Sequence, residues 1–230
     1  MSAAERFYTR SHETHERPKI EVPSETLKEL AAPNHRYYCV HEHLRVHPDL
    51  SVVELGFGSP GIAAALSRFC RNYHIVDVVD RREDALLPGN VRFTRADLND
   101  DYPFSNGEFD CTVAMMVIEH LFDPFHSFAE VARITRPGGK VLVNLPNIAS
   151  IRCRLELLQG KMPVTSSVNW FETGEWDGNH LHYFTVSDTI RLARKVGLTL
   201  DAVYPVGNQL WLKRLNPRLF CHEISYSFSK

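Results

Sequence analysis

Gly56, Gly58 and Gly61 follow the apolar run Val52-Val53-Glu54-Leu55 and precede an Ala-rich segment, Ile62 to Phe69, that reads as a helix. Glycine takes positive φ at little steric cost, and its missing side chain lets a ligand approach the backbone closely. The free N–H groups of the following helix would point back at whatever rests on the turn. The spacing Gly-x-Gly-x-x-Gly also fits a dinucleotide corner that holds a pyrophosphate, and a tight strand-to-helix turn uses the same glycines with no ligand at all. The acids downstream separate these readings. Ile75 to Asp80 reads as a second buried strand ending in a carboxylate able to accept both ribose hydroxyls; Asp80 or Asp77 fits, and the regular run favours Asp80 because Val78-Val79 then close the strand. Val91 to Leu98 supplies a third strand ending in Asp97, which can accept a hydrogen bond from an exocyclic amine. Three successive strands thus end in acids. That charge repels a pyrophosphate and attracts a cationic ligand carrying an ammonium and a sulfonium.

These residues need a frame. The polar stretch 1 to about 24, with Pro18 and Pro23, reads as an arm or lid. Helices are expected over Ser24 to Ala31, capped by Ser24, and over Asn34 to Val46, ended by Pro48. Asp123 to Thr135 and Ser187 to Val196 read as further helices, and Pro146 to Gly160 as a helical excursion. Leu198 to Pro205 and a segment near Leu219 to Phe228 read as terminal strands. This alternation implies an α/β doubly wound, Rossmann-like sheet with its ligand outside the strand C-termini.

The chain resembles the class I S-adenosylmethionine-dependent methyltransferases from about residue 35 to the C-terminus. Glu54-Leu55-Gly56-Phe57-Gly58 is similar to that family's first motif, Asp80 to its ribose-binding acid, and Asp97-Leu98 to its adenine-contacting pair. Phe109 to Leu121 is similar to the fourth strand and the loop facing the methyl group, and Arg133 to Val143 to the helix end, turn and fifth strand. Ser59-Pro60 make the first loop one residue longer than the commonest form. The resemblance implies a seven-stranded sheet, mostly parallel with an antiparallel last strand, and S-adenosylmethionine as cofactor, held by Glu54, Gly56, Phe57, Gly58, Gly61, Asp80, Asp97, Leu98 and Met115. Within residues 145–185, Leu145-Pro146-Asn147, Gly160-Lys161-Met162-Pro163 and His180-Leu181 also resemble the MetW-like methyltransferases of methionine biosynthesis. That likeness gives an alternative reading as a methyltransferase-fold regulatory partner of an acyltransferase. The domain organisation expected is an arm at 1–33 and a methyltransferase domain at 34–230, with 146–182 as the cover of the acceptor site.

Methyl transfer from a sulfonium is an in-line displacement that needs alignment and a dry site, and an oxygen or nitrogen acceptor is helped by a base. His120 follows the fourth strand, and His180 and His182 belong to the covering segment, so these three are the candidate catalytic residues; Glu119 is a further possible base, or an acid at a helix start. Trp170, Phe171, Trp176, Tyr183 and Phe184 would line an apolar or sugar-stacking acceptor site, or cover the core. Arg152 and Arg154 would hold an acceptor carboxylate or phosphate, or form a solvated helix face. His43 and His47, four apart, share a helix face with His41 nearby, but zinc needs more ligands, and no metal site is expected there.

Bulk properties fit an ordinary enzyme of a small-molecule acceptor. A net charge of −2 gives no global field for nucleic acid, and no basic run interleaved with aromatics is present. The five cysteines are dispersed and read as reduced packing residues. No apolar run approaches the length of a membrane span and Met1 to Arg17 lacks a signal-peptide core, so a cytoplasmic location without membrane partner is expected, with a homodimer compatible.

Overall fold

The computed structural model describes residues 24–82, 87–166, 172, 174 and 176–230. The arm residues 1–23 and the expected acceptor-lining pair Trp170 and Phe171 lie outside them. Seven strands form one sheet: β1 Ser51–Leu55, β2 Asn72–Asp77, β3 Val91–Arg95, β4 Phe109–Met115, β5 Thr135–Pro146, β6 Thr199–Pro205 and β7 Glu223–Ser229. Their spatial order is β3-β2-β1-β4-β5-β7-β6. Strands β1 to β5 pair in parallel, whereas β7 runs antiparallel to both β5 and β6. The order reverses between β1 and β4, so the loops after these two strands open side by side, which is where a doubly wound sheet takes its ligand.

Both faces of the sheet are covered, and alternation along the strands decides which side chain goes where. Val53 and Leu55 of β1 and Val141, Val143 and Leu145 of β5 pack on one face, against Phe128 and Val131 of α4 (Pro124–Ile134) and Ile190 and Ala193 of α6 (Val186–Lys195). Val52, Cys111, Val113 and Leu142 pack on the other, against Val40 and Leu44 of α2 (Tyr38–Val46) and Ala63 and Leu66 of α3 (Pro60–Leu66). The small residues of α3 allow that close approach. Leu30 of α1 (Ser24–Leu30) is buried in the same cluster, so the C-terminal part of the expected arm packs on the domain. Caps set the helix starts: the Asp123 carboxylate accepts from Phe125 and His126 N–H with Pro124 opening α4, and Thr185 accepts from Asp188 N–H at α6.

Several boundaries differ from the sequence reading. β2 stops at Asp77, not Asp80, because its partner β3 ends at the Asp77–Arg95 pair and the Asp77 carboxylate turns back to accept from Val79 N–H at 3.0 Å. β3 ends at Arg95, two residues before Asp97. Only β2 therefore ends in an acid. α2 begins at Tyr38, since residues 31–37 make turns after Leu30. Pro146 belongs to β5, which pairs with β7 down to Glu223, so the excursion contains only the helix α5 (Ile151–Leu158). Leu219 and Phe220 lie in a single helical turn, α8 (Pro217–Phe220), opened by Pro217 just after α7 (Leu210–Leu215), and the last strand starts at Glu223.

Candidate active site

The glycine turn is held from below and from the side. Gly56 sits at φ +84°, donates its N–H to Val76 O at 2.8 Å, and has no room for a side chain: an added Cβ would lie 2.5 Å from Val117 Cγ2. That contact also fixes the loop after β4 against the loop after β1. At Gly58 and Gly61 an added Cβ would meet nothing within 4 Å, which leaves the outer backbone of the turn approachable. Beneath it, the buried Glu54 carboxylate accepts from the phenols of Tyr37 at 2.8 Å and Tyr73 at 2.9 Å. Burial pushes its carboxyl up to about 7, opposed by those two hydrogen bonds. Phe57 points into the core beside Phe93, with ring centroids 6.1 Å apart.

The edge acids occupy distinct settings. Asp77 accepts from the Phe57 N–H at 2.5 Å and so faces the glycine turn. Asp80 lies three residues beyond the strand, paired with Arg82 at 2.7 Å; hydrogen bonding from that guanidinium holds its carboxyl below the ordinary value. Asp97 accepts from the backbone and side-chain N–H of Asn99, whose carbonyl oxygen in turn accepts from Phe122 N–H, joining the loops after β3 and β4. Leu98 and Met115 are buried on opposite faces of the sheet, in the first and second core clusters respectively. Met116, directly after β4, takes φ +56°, a left-handed conformation costly for this side chain and common where a chain turns into a site.

That turn delivers a cluster. Glu119 and His120 lie on a short 3-10 turn, Ile118–His120, and one potential ligand atom each of Glu119, His120 and His180 lies within 4.8 Å of the others. Glu119 is 0% exposed, and among the described residues neither carboxylate oxygen has a hydrogen-bond partner. Burial pushes its carboxyl up to about 8. The Glu119 carbonyl accepts from Leu181 N–H at 2.8 Å and His182 N–H at 3.1 Å, clamping the covering segment to the β4 loop. The rings of His120 and His180 meet edge to face, centroids 4.8 Å apart. His120 Nδ1 lies 3.1 Å from Asn179 O, His180 Nδ1 lies 2.7 Å from Thr165 Oγ1, and His182 Nε2 lies 3.1 Å from Phe122 O. Two of the three expected histidines thus join Glu119, while His182 braces the loop beside them.

Residues that the sequence reading passed over support this cluster. Asp177 is buried and accepts from Thr165 N–H, Thr165 Oγ1–H and Ser166 N–H at 2.7–3.0 Å. Burial works to raise its carboxyl, but those hydrogen bonds prevail and hold it below the usual range. Asp177, Gly178 and Asn179 all have positive φ, the backbone that carries His180 into place. The only sequence signal was the turn composition Asp-Gly-Asn. Of the expected lining aromatics, Phe184 is in the core and bridged to Asn147, whereas Trp176 is exposed. Arg152 pairs with Glu156 at 3.0 Å and Arg154 Nε donates to Ala149 O, so both serve α5 and its start. The rings of His43 and His47 lie 5.0 Å apart, tilted at 56°, and His41 Nδ1 faces Glu42.

Residues 53–143 match the family described as a methyltransferase domain. Over 165 residues the chain is 23% identical to the uncharacterized protein YafE of Escherichia coli, covering 69% of this chain and 73% of that one. Over 135 residues it is 30% identical to a probable S-adenosylmethionine-dependent methyltransferase of Mycolicibacterium smegmatis, covering 54% of this chain and 49% of that one, so the match spans about half of the mycobacterial protein. The fold is that of a solved S-adenosylmethionine-dependent methyltransferase from Mesorhizobium loti, at a TM-score of 0.64 and 14% identity over 89% of this chain and all of the other. With the glycine turn, the edge acids and the sheet order in place, the matched region is a class I methyltransferase domain, an enzyme type whose methyl donor is S-adenosylmethionine.

Proposed function

We propose that this domain transfers the methyl group to an oxygen or nitrogen of a small-molecule or glycan-like acceptor, with Glu119, His120 and His180 on the acceptor side. The observation that carries the reading is the convergence of a buried carboxylate and two imidazoles beside the loop that touches the glycine turn through Val117. The residues fit the cofactor: the turn is open at Gly58 and Gly61, Asp77 ends β2, and Asp97 follows the end of β3 by two residues. Gly56, Phe57, Gly58 and Gly61 would hold the amino-acid portion by backbone, with Glu54 setting the turn from below. Asp77 and Asp80 are the candidates for the ribose. Asp80 follows the sequence pattern, and the contact of Asp77 with the Phe57 N–H of the turn supports Asp77. Asp97, Leu98 and Met115 would flank the base and the sulfur. The cofactor supplies an electrophilic methyl on a sulfonium. The chain's part is to align the acceptor atom, exclude water and receive a proton, and His120, His180 and His182 are the groups to test for that step.

Among the described residues no helix is long and apolar enough to cross a membrane, and all five cysteines are free and buried. These features support the cytoplasmic reading; a homodimer is a matter for sedimentation. Incubation with methyl-radiolabelled S-adenosylmethionine and a panel of hydroxyl, amine, carboxylate and sugar acceptors tests the function. Transfer to at least one acceptor is expected, lowered in His120→Ala or His180→Ala with cofactor affinity nearly intact. Absence of any transfer, together with a stable complex that alters an acyltransferase rate, would replace this reading by the regulatory one, which rests on the local MetW likeness alone.

A further inference from the structure

Glu119, His120 and His180 bring one carboxylate and two imidazoles together, and contacts to described residues set the tautomer of each ring. Asp177 is a carboxylate fully engaged with donors, so the Thr165 hydroxyl proton points at Asp177 Oδ2, 2.7 Å away. The Thr165 oxygen then has only lone pairs for His180, whose Nδ1 must carry the proton in their 2.7 Å contact. Asn179 O is a carbonyl and only accepts, so His120 Nδ1 carries its proton as well. On both rings the nitrogen left with a lone pair is Nε2. The third member, the Glu119 carboxylate, is fully buried and has no hydrogen-bond partner among the described residues. Burying a carboxylate without a partner is strongly unfavourable, and such a group is found neutralised by a proton or a cation.

We propose that Glu119, His120 and His180 bind one divalent transition-metal ion, with Nε2 of each histidine and the Glu119 carboxylate as ligands. Two imidazoles and one carboxylate suit zinc, manganese, iron(II) or cobalt(II) better than magnesium or calcium. Three protein ligands leave coordination positions open, as catalytic sites do. The Asp177–Thr165–His180 chain and the Asn179 carbonyl on His120 are the outer contacts that fix ring tautomer and orientation at such sites. His120 is half-buried, between the buried Glu119 and His180. This deepens the acceptor-side reading above and rests on it only for what the ion would do: an open position would take an acceptor oxygen, with the histidines as ligands rather than bases. The ion-binding claim stands independently of the acceptor.

The test uses the full chain, stripped with chelator, in a His43→Asn/His47→Asn background that removes the surface histidine pair. Cobalt(II) titration is expected to give one equivalent bound per chain with visible d–d bands, displaced by zinc. Glu119→Gln should weaken binding at least about 100-fold, and Thr165→Val about 10-fold with an unchanged circular dichroism spectrum. If Glu119→Gln does not fold, His120→Gln and Thr165→Val carry the comparison. No binding below about 0.1 mM free ion, or binding equal to the parent in the folded variants, overturns the proposal and leaves a protonated Glu119 in the cluster. Methyl transfer by a protein that binds no ion on titration would sink this inference and keep the proposed function; stoichiometric metal with no transfer to any acceptor would do the reverse.

Discussion

The Asp77 carboxylate at the end of β2 accepts the Phe57 backbone N–H at 2.5 Å, tying the glycine turn to the neighbouring strand. One oxygen is spent on that bond and the other on Val79 N–H, yet a carboxylate has about four lone-pair sites, so it can still take ribose hydroxyls. Asp80 must release Arg82 to do the same. Asp77→Asn is therefore expected to weaken S-adenosylmethionine binding by about 1.5–3 kcal/mol, roughly 10- to 100-fold, and Asp80→Asn by less. Calorimetry on both variants decides; the reverse ranking returns the ribose to Asp80.

Gly56→Ala is expected to damage both stability and cofactor binding. The residue sits at φ +84°, where any Cβ costs about 1–2 kcal/mol, and the added methyl would lie 2.5 Å from Val117 Cγ2. Adding Val117→Ala should relieve the clash but not the backbone penalty, so the double variant should melt between Gly56→Ala and the parent. Full recovery in the double variant would show that φ strain is not a factor.

The sheet, its glycine turn and two members of the cluster are legible because they are local: a β-branched run, three glycines, and acids and histidines next to strand ends. What was not legible came from tertiary pairing. The end of β2 depends on where β3 stops beside it, so Asp80 looked like a strand terminus when only Asp77 is one. Glu119 read equally well as a helix-start acid, since nothing in Val117-Ile118-Glu119-His120 reveals that a segment sixty residues on will close over it through the amides of Leu181 and His182. Asp177 and Thr165 lie in the irregular stretch without periodicity, and Tyr37 and Tyr73 are distant from Glu54 in sequence.

Glu54 should leave a signature in the pH dependence of stability. Burial raises its carboxyl from 4.5 to about 7 in the folded chain. Between those values the folded protein holds a proton that the unfolded chain gives up, so this group makes stability fall as pH rises from about 4.5 to about 7, and contributes no slope above. The loss across that window is on the order of 3 kcal/mol. Urea unfolding of the parent and Glu54→Gln at pH 5, 6, 7 and 8 should show the difference between them shrinking or reversing in favour of glutamine as pH rises. A constant difference would mean that Glu54 does not titrate in this range.

All five cysteine thiols should resist modification in the native state. Each is buried, and burial pushes Cys39 and Cys70 up to about 12 and raises the other three as well, so little reactive thiolate exists at neutral pH. Labelling with a disulfide reagent should be slow in the folded protein and complete in denaturant. Rapid native labelling would indicate an opening of the core that the packing does not show.

Asp177→Asn tests whether the covering segment positions His180 or merely closes the core. The carboxylate takes two backbone N–H groups and the Thr165 hydroxyl, and an amide in its place has one oxygen for three donors, while its own N–H₂ faces groups that donate. The loss should be about 1–3 kcal/mol, a fall in Tm of a few degrees up to about 10 °C for a chain of this size. Freed from Asp177, the Thr165 hydroxyl no longer orients its lone pairs on His180 Nδ1, so the ring loses its fixed tautomer. Turnover with a working acceptor should therefore fall several-fold, while cofactor affinity, which the proposed site assigns to the glycine turn and the β2 acid, stays within about twofold. Thr165→Val should reproduce the kinetic loss, because it removes the same contact to His180 and leaves Asp177 in place. If Asp177→Asn lowers only Tm and Thr165→Val leaves kcat unchanged, the segment is a structural cover and His180 has no part in methyl transfer.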